Sequence, residues 1–304
     1  MATGRFAPTP TGSLHLGNLR TALVAWLSAR SASSTFLVRV EDLDPSTARS
    51  RYETEQLSDL AAIGLDWDGP ALRQSERRPA HDRAINQLET AGLTYPCYCT
   101  RREIREAAAA PHDGPTPEGA YPGTCRRLSA AEARERRRAG RPAALRLRTD
   151  GRPVTVYDRR LGTVEAVVDD VVLRRNDGTP SYNLAVVVDD AFQGVQEVVR
   201  GDDLLLSSPR QAYLGRLLEL RVPTYFHVPL VLGPIGNRLA KRDGAVTLAD
   251  RAALGEGPAE VRSLLAASLG LAEPGEPVTM SDLIPRFDPD GLPSDPWLLD
   301  STNG

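Results

Sequence analysis

Lysine is nearly missing from this chain. Its 304 residues hold 37 Lys and Arg together, and a single one, Lys241 in GNRLAKRDG (236–244), is lysine. Guanidinium and ammonium interchange where only surface charge matters. They do not where a compact, mobile point charge is needed, because guanidinium is a rigid planar fork. Lys241 is thus either a chance survivor or a position that needs its ammonium. Cysteine is also scarce. Three residues, two of them in CYC, do not make a secreted disulfide framework. No apolar run is long enough to span a membrane, and MATGRFAPTP has no apolar core of a signal peptide. Net positive charge is absent too. At −3 overall, any nucleic-acid surface has to be local. No internal repeat shows. The expectation is a soluble, cytoplasmic chain without a membrane partner.

What is present is ordinary for a globular protein: 41% apolar and 25% charged residues. The length suggests about two domains at ~150 residues each. RFAP reads as a short strand running into TPTGS, a turn of Thr, Pro and Gly. Leu16, Leu19, Leu23, Trp26 and Leu27 then recur at helical spacing, so a helix begins near His15 or Gly17. STFLVRVEDLD reads as a buried strand ending in Glu41 and Asp42. Strand–helix–strand implies a parallel α/β sheet, whose ligands bind beyond the carboxyl ends of the strands. His15, Glu41 and the Pro–Thr–Gly turn fall at that end. A helix N-terminus with free N–H groups suits phosphate, and Gly17 would let a ring or phosphate approach the backbone. Taken alone, a bare H-x-G-x favours the plainer reading, His15 as an ordinary loop histidine and Gly17 as a helix-start residue.

RFAPTPTGSLHLGNLRTALVAWLSAR closely resembles the opening of the glutamyl-tRNA synthetases, class I aminoacyl-tRNA synthetases. HLGN, preceded by Pro8, is similar to their HIGH motif: Pro8, His15, Leu16, Gly17 and Asn18. RLAKR is similar to their KMSKS loop: Arg238, Leu239, Ala240, Lys241 and Arg242. VEDLD, GLDWDG, RQSERR, YPCYCT, SYNLAVVVDD and VRGDDLLLSSPRQ match the same family in the same order, from residue 4 to about 250. The resemblance implies a Rossmann-like parallel sheet with an inserted zinc-bearing α/β module and a small carboxyl-terminal helical region. The implied division is 1–95 with 179–237 for the catalytic domain, 96–178 for the module, and 238–304 for the KMSKS-like loop and helical remnant.

The resemblance implies attack of the L-glutamate α-carboxylate on the α-phosphorus of ATP, with Mg²⁺ accompanying ATP. His15 and Lys241 would be the catalytic groups, and His15, Gly17, Asn18 and Lys241 the ATP-binding ones. Arg5, Thr9, Glu41, Tyr182 and Arg200 would bind glutamate. Arg5 with Tyr182 would take the side-chain carboxylate, Glu41 the ammonium and Arg200 the α-carboxylate.

Cys97, Cys99 and Cys125 suggest a tetrahedral Zn²⁺ site with one ligand undecided, although three reduced buried cysteines would read the same way. The short glutamyl-tRNA synthetase-like proteins share a tyrosine four residues before the last cysteine, which makes Tyr121 the implied fourth ligand. His112 is its physical competitor. With all four positions filled the zinc, about one per chain, would be structural. Residues 126–148 hold nine arginines against two glutamates, which reads as a solvated helix face or a phosphate-contacting surface.

The family resemblance fades about fifty residues before the end of the sequence. LADRAALGEGPAEVRSLLAASLGL reads as one or two helices, and the Pro-rich end as turns with one brief helix. The expectation is no anticodon-reading domain and a monomer. The match then favours the short paralogues that attach glutamate to queuosine at the wobble position of tRNA(Asp), whose anticodon stem-loop would be the partner. The alternatives are a shortened glutamyl-tRNA synthetase charging tRNA(Glu), and an inactive zinc-bearing RNA-binding paralogue.

Overall fold

A computed structural model of the chain describes residues 3–100, 102–104, 121–237, 239 and 246–299. The first unit is β1 (Gly4–Phe6), α1 (Leu16–Ser31) and β2 (Phe36–Val40). β1 and β2 are parallel, with Arg5 opposite Leu37. The helical spacing of Leu16, Leu19, Leu23 and Leu27 gives α1 one fully buried face. Ala22, Ala25 and Ala29 bury much of the rest. A helix apolar nearly all round belongs inside a core, and α1 does. It even buries Arg20, which donates to Pro229 O at 2.9 Å and to Ser268 Oγ at 3.1 Å.

The chain continues through α2 (Ser50–Ala62), β3 (Leu72–Arg73), α3 (Arg78–Thr90) and β4 (Thr94–Cys97). β3 adds to β2 in parallel. Next come α4 (Ala130–Arg138), β5 (Ala144–Leu147), β6 (Pro153–Asp158), β7 (Gly162–Val167) and β8 (Val172–Arg174). β4, β5 and β8 form a separate antiparallel sheet. β6 and β7 form a hairpin whose first strand runs parallel to the later strand that includes Tyr225, with Asp158 opposite that tyrosine.

The second parallel unit is α5 (Tyr182–Phe192), β9 (Glu197–Gly201), α6 (Ser207–Leu217) and β10 (Thr224–Val228). β9 and β10 pair in parallel, Arg200 opposite His227. The N–H groups of Gln196 and Glu197 both donate to Thr3 O, which joins β9 to the β1 side. The carboxyl ends of β1, β2 and β9 therefore open on one cleft. Last come β11 (Val231–Leu232), α7 (Leu248–Ala253), α8 (Pro258–Ser268), α9 (Met280–Arg286) and β12 (Trp297–Leu298). The stretch read as one or two helices forms two, and the brief helix after it is α9. Val261, Leu265, Ala266 and Leu283 join the core around α1. No helix among the described residues is long and apolar enough to cross a membrane.

Candidate active site and cysteine cluster

The cleft at the strand ends has a volume of about 700 Å³. Pro8, Thr9, His15, Gly17 and Asn18 line it from the first strand–helix unit. Glu41, Tyr182, Arg200 and Leu239 line it from later segments. Leu16 does not. It is wholly buried and anchors α1. A second cavity of about 790 Å³, beside Arg251, Ser263 and Trp297, holds none of the residues singled out in the sequence.

His15 caps α1. Its Nδ1 accepts the Asn18 N–H at 3.2 Å, while Asn18 Oδ1 accepts the His15 N–H at 3.1 Å. Such reciprocal caps satisfy two orphan helix donors and are worth about 1 kcal/mol. The bond also fixes the tautomer. With Nδ1 an acceptor, the ring proton sits on Nε2. Burial pushes the His15 pKa below its usual value. The imidazole is therefore a neutral donor near pH 7, rather than the cation that a phosphate partner would suggest. A Cβ on Gly17 would lie 3.0 Å from the His15 ring and 3.3 Å from Val231 Cβ. Gly17 thus makes room for the ring of His15, a use that the sequence did not reveal.

The glutamate-binding candidates do not all reach the cleft equally. Arg5 is 4% exposed and sits behind it. Its Nε and Nη2 donate to Asp190 Oδ1 and Oδ2 at 3.1 and 3.4 Å, and Nη1 donates to Val199 O at 3.2 Å. Asp190 Oδ1 also accepts from Arg39 Nη1 at 2.5 Å, and Arg39 Nη2 donates to Glu41 Oε1 at 3.2 Å. Arg5, Asp190, Arg39 and Glu41 form one chain of alternating charge. Burial nevertheless raises the Glu41 pKa, against the pull of Arg39 and Arg5. Arg39, Asp190 and Gln56 were missed by sequence reasoning. Gln56 Nε2 donates to Thr9 O at 3.0 Å and Gly12 O at 2.7 Å, which pins the turn under the cleft. No local pattern announces contacts across 44 to 185 residues.

Lys241, with Arg238, Ala240 and Arg242, lies outside the described residues. Both flanks of the loop are described. Leu239 lines the cleft, and the Leu16 N–H donates to Val246 O at 2.8 Å.

Cys97, Cys99 and Cys125 bring their sulfurs within 4.8 Å of one another. Tyr121 Oη lies 3.3 Å from Cys97 Sγ and 3.6 Å from Cys99 Sγ. Cys125 Sγ accepts the Tyr98 N–H at 3.4 Å and Arg136 Nη1 at 3.6 Å. Two donors aimed at one sulfur suit a thiolate, and a buried thiolate group suits a soft metal. His112 lies outside the described residues.

The arginine-rich stretch divides. α4 buries none of its residues. Arg146, in contrast, is 6% exposed and lies over the Tyr121 ring at 3.6 Å. Arg126 pairs with Asp170 at 2.7 Å, and Arg148 lies over the Tyr95 ring at 4.9 Å. With Arg136, which reaches Cys125 Sγ from α4, four of the nine arginines therefore contact the cysteine module. The reading of the whole run as one surface is corrected to that extent. Arg146 is buried on β5, while the half-buried Arg126 and Arg148 turn toward Asp170 and Tyr95.

The family profile described as "tRNA synthetases class I (E and Q), catalytic domain" matches residues 1–300. The glutamyl-Q tRNA(Asp) synthetase of Nocardia farcinica is 60% identical over 296 residues, 97% of this chain and 92% of that protein. That of Symbiobacterium thermophilum is 47% identical over 308 residues, 97% of this chain and 95% of its own. The crystal structure of the glutamate-tRNA synthetase from Elizabethkingia anophelis superposes with a TM-score of 0.83 at 28% identity, covering 99% of this chain and 68% of that one. The chain belongs to the class I tRNA synthetases of the glutamate and glutamine branch, and within them to the glutamyl-Q tRNA(Asp) synthetases.

Proposed function

We propose that this enzyme activates L-glutamate with ATP and transfers it to the queuosine base at the wobble position of tRNA(Asp). The observation that carries the reading is the match, along nearly their whole length, to relatives bearing that name, together with a cleft lined by Arg200, Glu41, Tyr182 and the His15 cap, with Arg5 buried behind it. In the first step a glutamate α-carboxylate oxygen attacks the α-phosphorus of ATP. The bond from that phosphorus to the β-phosphate oxygen breaks, and pyrophosphate leaves with the electron pair. In the second step a cyclopentenediol hydroxyl of queuosine attacks the activated acyl carbon. AMP leaves, and the hydroxyl proton passes to solvent.

The residues divide this work by charge. His15 Nε2–H faces the phosphates as a neutral donor, beside Gly17 and Asn18, while the Leu16 and Asn18 N–H groups are engaged by Val246 O and His15 Nδ1. Lys241 supplies the mobile positive charge for the leaving pyrophosphate. Glu41 takes the ammonium, Arg200 the α-carboxylate, and Arg5 with Tyr182 the side-chain carboxylate, with the Thr9 turn closing the site. Mg²⁺ enters with ATP, held by its phosphates and water.

Cys97, Cys99, Cys125 and Tyr121 fit one Zn²⁺ by donor chemistry and closeness. When bound, the metal would cross-link the module and do no chemistry of its own. The domain division drawn from the resemblance stands as part of this proposal, with the hairpin of β6 and β7 lent to the catalytic sheet. The test is ATP–pyrophosphate exchange driven by glutamate, followed by transfer of labelled glutamate to tRNA. Exchange without tRNA supports the reading, and a protein inert in exchange would be the RNA-binding paralogue instead.

A further inference from the structure

Arg200 is the arginine that lines the cleft among the described residues, and several partners hold it. Its Nε donates to His227 Nε2 at 3.0 Å and its Nη1 to Gln211 Oε1 at 2.8 Å. Its Nη2 donates to Ser208 Oγ at 2.7 Å and Leu204 O at 3.2 Å. A guanidinium offers five N–H groups in a fixed fork. Four are engaged among the described residues, which leaves one on Nη1 for a ligand.

His227 is held in turn. Its Nδ1 lies 2.6 Å from Asp158 Oδ2, which also accepts the His227 backbone N–H at 3.1 Å. Asp158 Oδ1 accepts the N–H groups of Arg160 and Leu161 at 3.0 and 2.9 Å. Asp158 and His227 are wholly buried, and Arg200 is 5% exposed. Burial raises the cost of the Asp158 charge, but these hydrogen bonds and His227 hold its pKa below the usual carboxylate value. An ionised carboxylate can only accept, so the proton in the Asp158–His227 bond belongs to Nδ1. Nε2 is then a bare lone pair, and the Arg200 N–H needs one. The other tautomer would set two buried donors face to face at 3.0 Å.

We propose that Asp158 and His227 are positioning residues for glutamate recognition. Asp158 fixes the tautomer of His227, and His227 fixes the rotation of the Arg200 fork so that its open edge meets the substrate carboxylate. This rests on the reading that Arg200 binds a carboxylate of glutamate. The ring faces Asp158 from β6, Arg200 from β9, Asp202 from the turn after it, Ser208 from α6, and Tyr225 stacked at 6.0 Å on its own strand. Arg160 adds a guanidinium N–H to His227 O at 2.8 Å. Burial and Arg200 press the His227 pKa down, Asp158 and Asp202 press it up, and the balance is downward. Neutral His227 is the working form. Its protonation at low pH removes the acceptor and adds a cation beside Arg200.

Two amides separate the halves of the ring. In His227→Gln the longer side chain can bring a carbonyl oxygen near the place of Nε2, and so keeps an acceptor for Arg200. In His227→Asn the shorter one can still donate to Asp158 but leaves Arg200 Nε without a partner. The assay is ATP–pyrophosphate exchange with the whole protein, with KM for glutamate measured from about pH 5.5 to 8. His227→Asn is expected to raise KM for glutamate roughly tenfold, the worth of a buried charge-assisted hydrogen bond, with KM for ATP unchanged. His227→Gln is expected to stay closer to wild type and to lose the acidic limb of the pH profile. Imidazole ¹⁵N shifts of wild type are expected to show a bare Nε2 on His227, and Asp158→Asn to move the proton onto it. Arg200→Ala separates the two claims. If it leaves KM for glutamate unchanged, the role of Arg200 itself is wrong. If it raises that KM while both His227 variants keep the wild-type value, or both variants merely lower thermal stability alike, the positioning claim is wrong.

Discussion

The backbone N–H of Leu16 donates to Val246 O at 2.8 Å. One backbone bond thus ties the start of the cleft helix to the chain five residues beyond Lys241. His15 and Thr247 extend the link as an isolated antiparallel bridge. Leu239 lines the cleft just before Lys241. The described residues on either side of the lysine, Leu239 and Val246, therefore both lie at the cleft and the start of α1.

Lys241→Arg keeps the charge and changes only its shape. If the ammonium serves the transition state, kcat for pyrophosphate exchange is expected to fall by about a hundredfold, with a smaller rise in KM for glutamate. Steady-state exchange kinetics decide this. An Arg variant at the wild-type rate would make Lys241 a chance survivor.

Purified protein is expected to contain about one zinc per chain, and Cys99→Ser to lose it. Tyr121→Phe is expected to weaken retention in a chelator competition measured by metal analysis. Full occupancy after Cys99→Ser would remove the zinc site, and release by His112→Ala but not by Tyr121→Phe would reassign the fourth ligand.

Acid is expected to destabilise the fold through its buried histidines. The folded-state pKa values of His15 and His227 lie below the ordinary value of 6.5. The unfolded chain then binds more protons as pH falls through 6.5, so stability is full above that value and lost below it. His15→Asn keeps a good helix cap without a titrating ring, and is expected to flatten part of this slope in denaturant titrations. An unchanged slope would mean that His15 does not titrate differently in the folded state.

The arginines of the cysteine module are expected to separate by direction. Arg134→Ala and Arg138→Ala on the exposed α4 should weaken tRNA binding and lower the salt dependence by about one unit of log–log slope each. Arg146→Ala is expected instead to lower thermal stability, because its side chain is buried against Tyr121 and Asp170 O. Filter binding at several salt concentrations, beside melting curves, tells the two apart.

Local signals made the first unit legible. The leucine spacing of α1, the turn residues before it and the acids after β2 each depend on near neighbours, and the fold honours them. The cysteine cluster was legible for the same reason, with Tyr121 four residues before Cys125. The long-range partners were not. Asp190 meets Arg5 across 185 residues, and His227 meets Asp158 across 69. An aspartate in a helix or a histidine in a strand carries no mark of which buried guanidinium it will serve. The arginine run misled in part because composition cannot tell an exposed helix from the turn and strand beside it, where Arg126 and Arg146 turn inward.

The most direct measurement is transfer of labelled glutamate to tRNA(Asp) with queuosine at the wobble position, against the same tRNA with guanosine and against tRNA(Glu). A site built around a nucleophilic hydroxyl rejects a base that lacks it. Transfer to the queuosine-bearing tRNA alone is the expected result. Charging of tRNA(Glu) at its 3′ end, with none on tRNA(Asp), would contradict it.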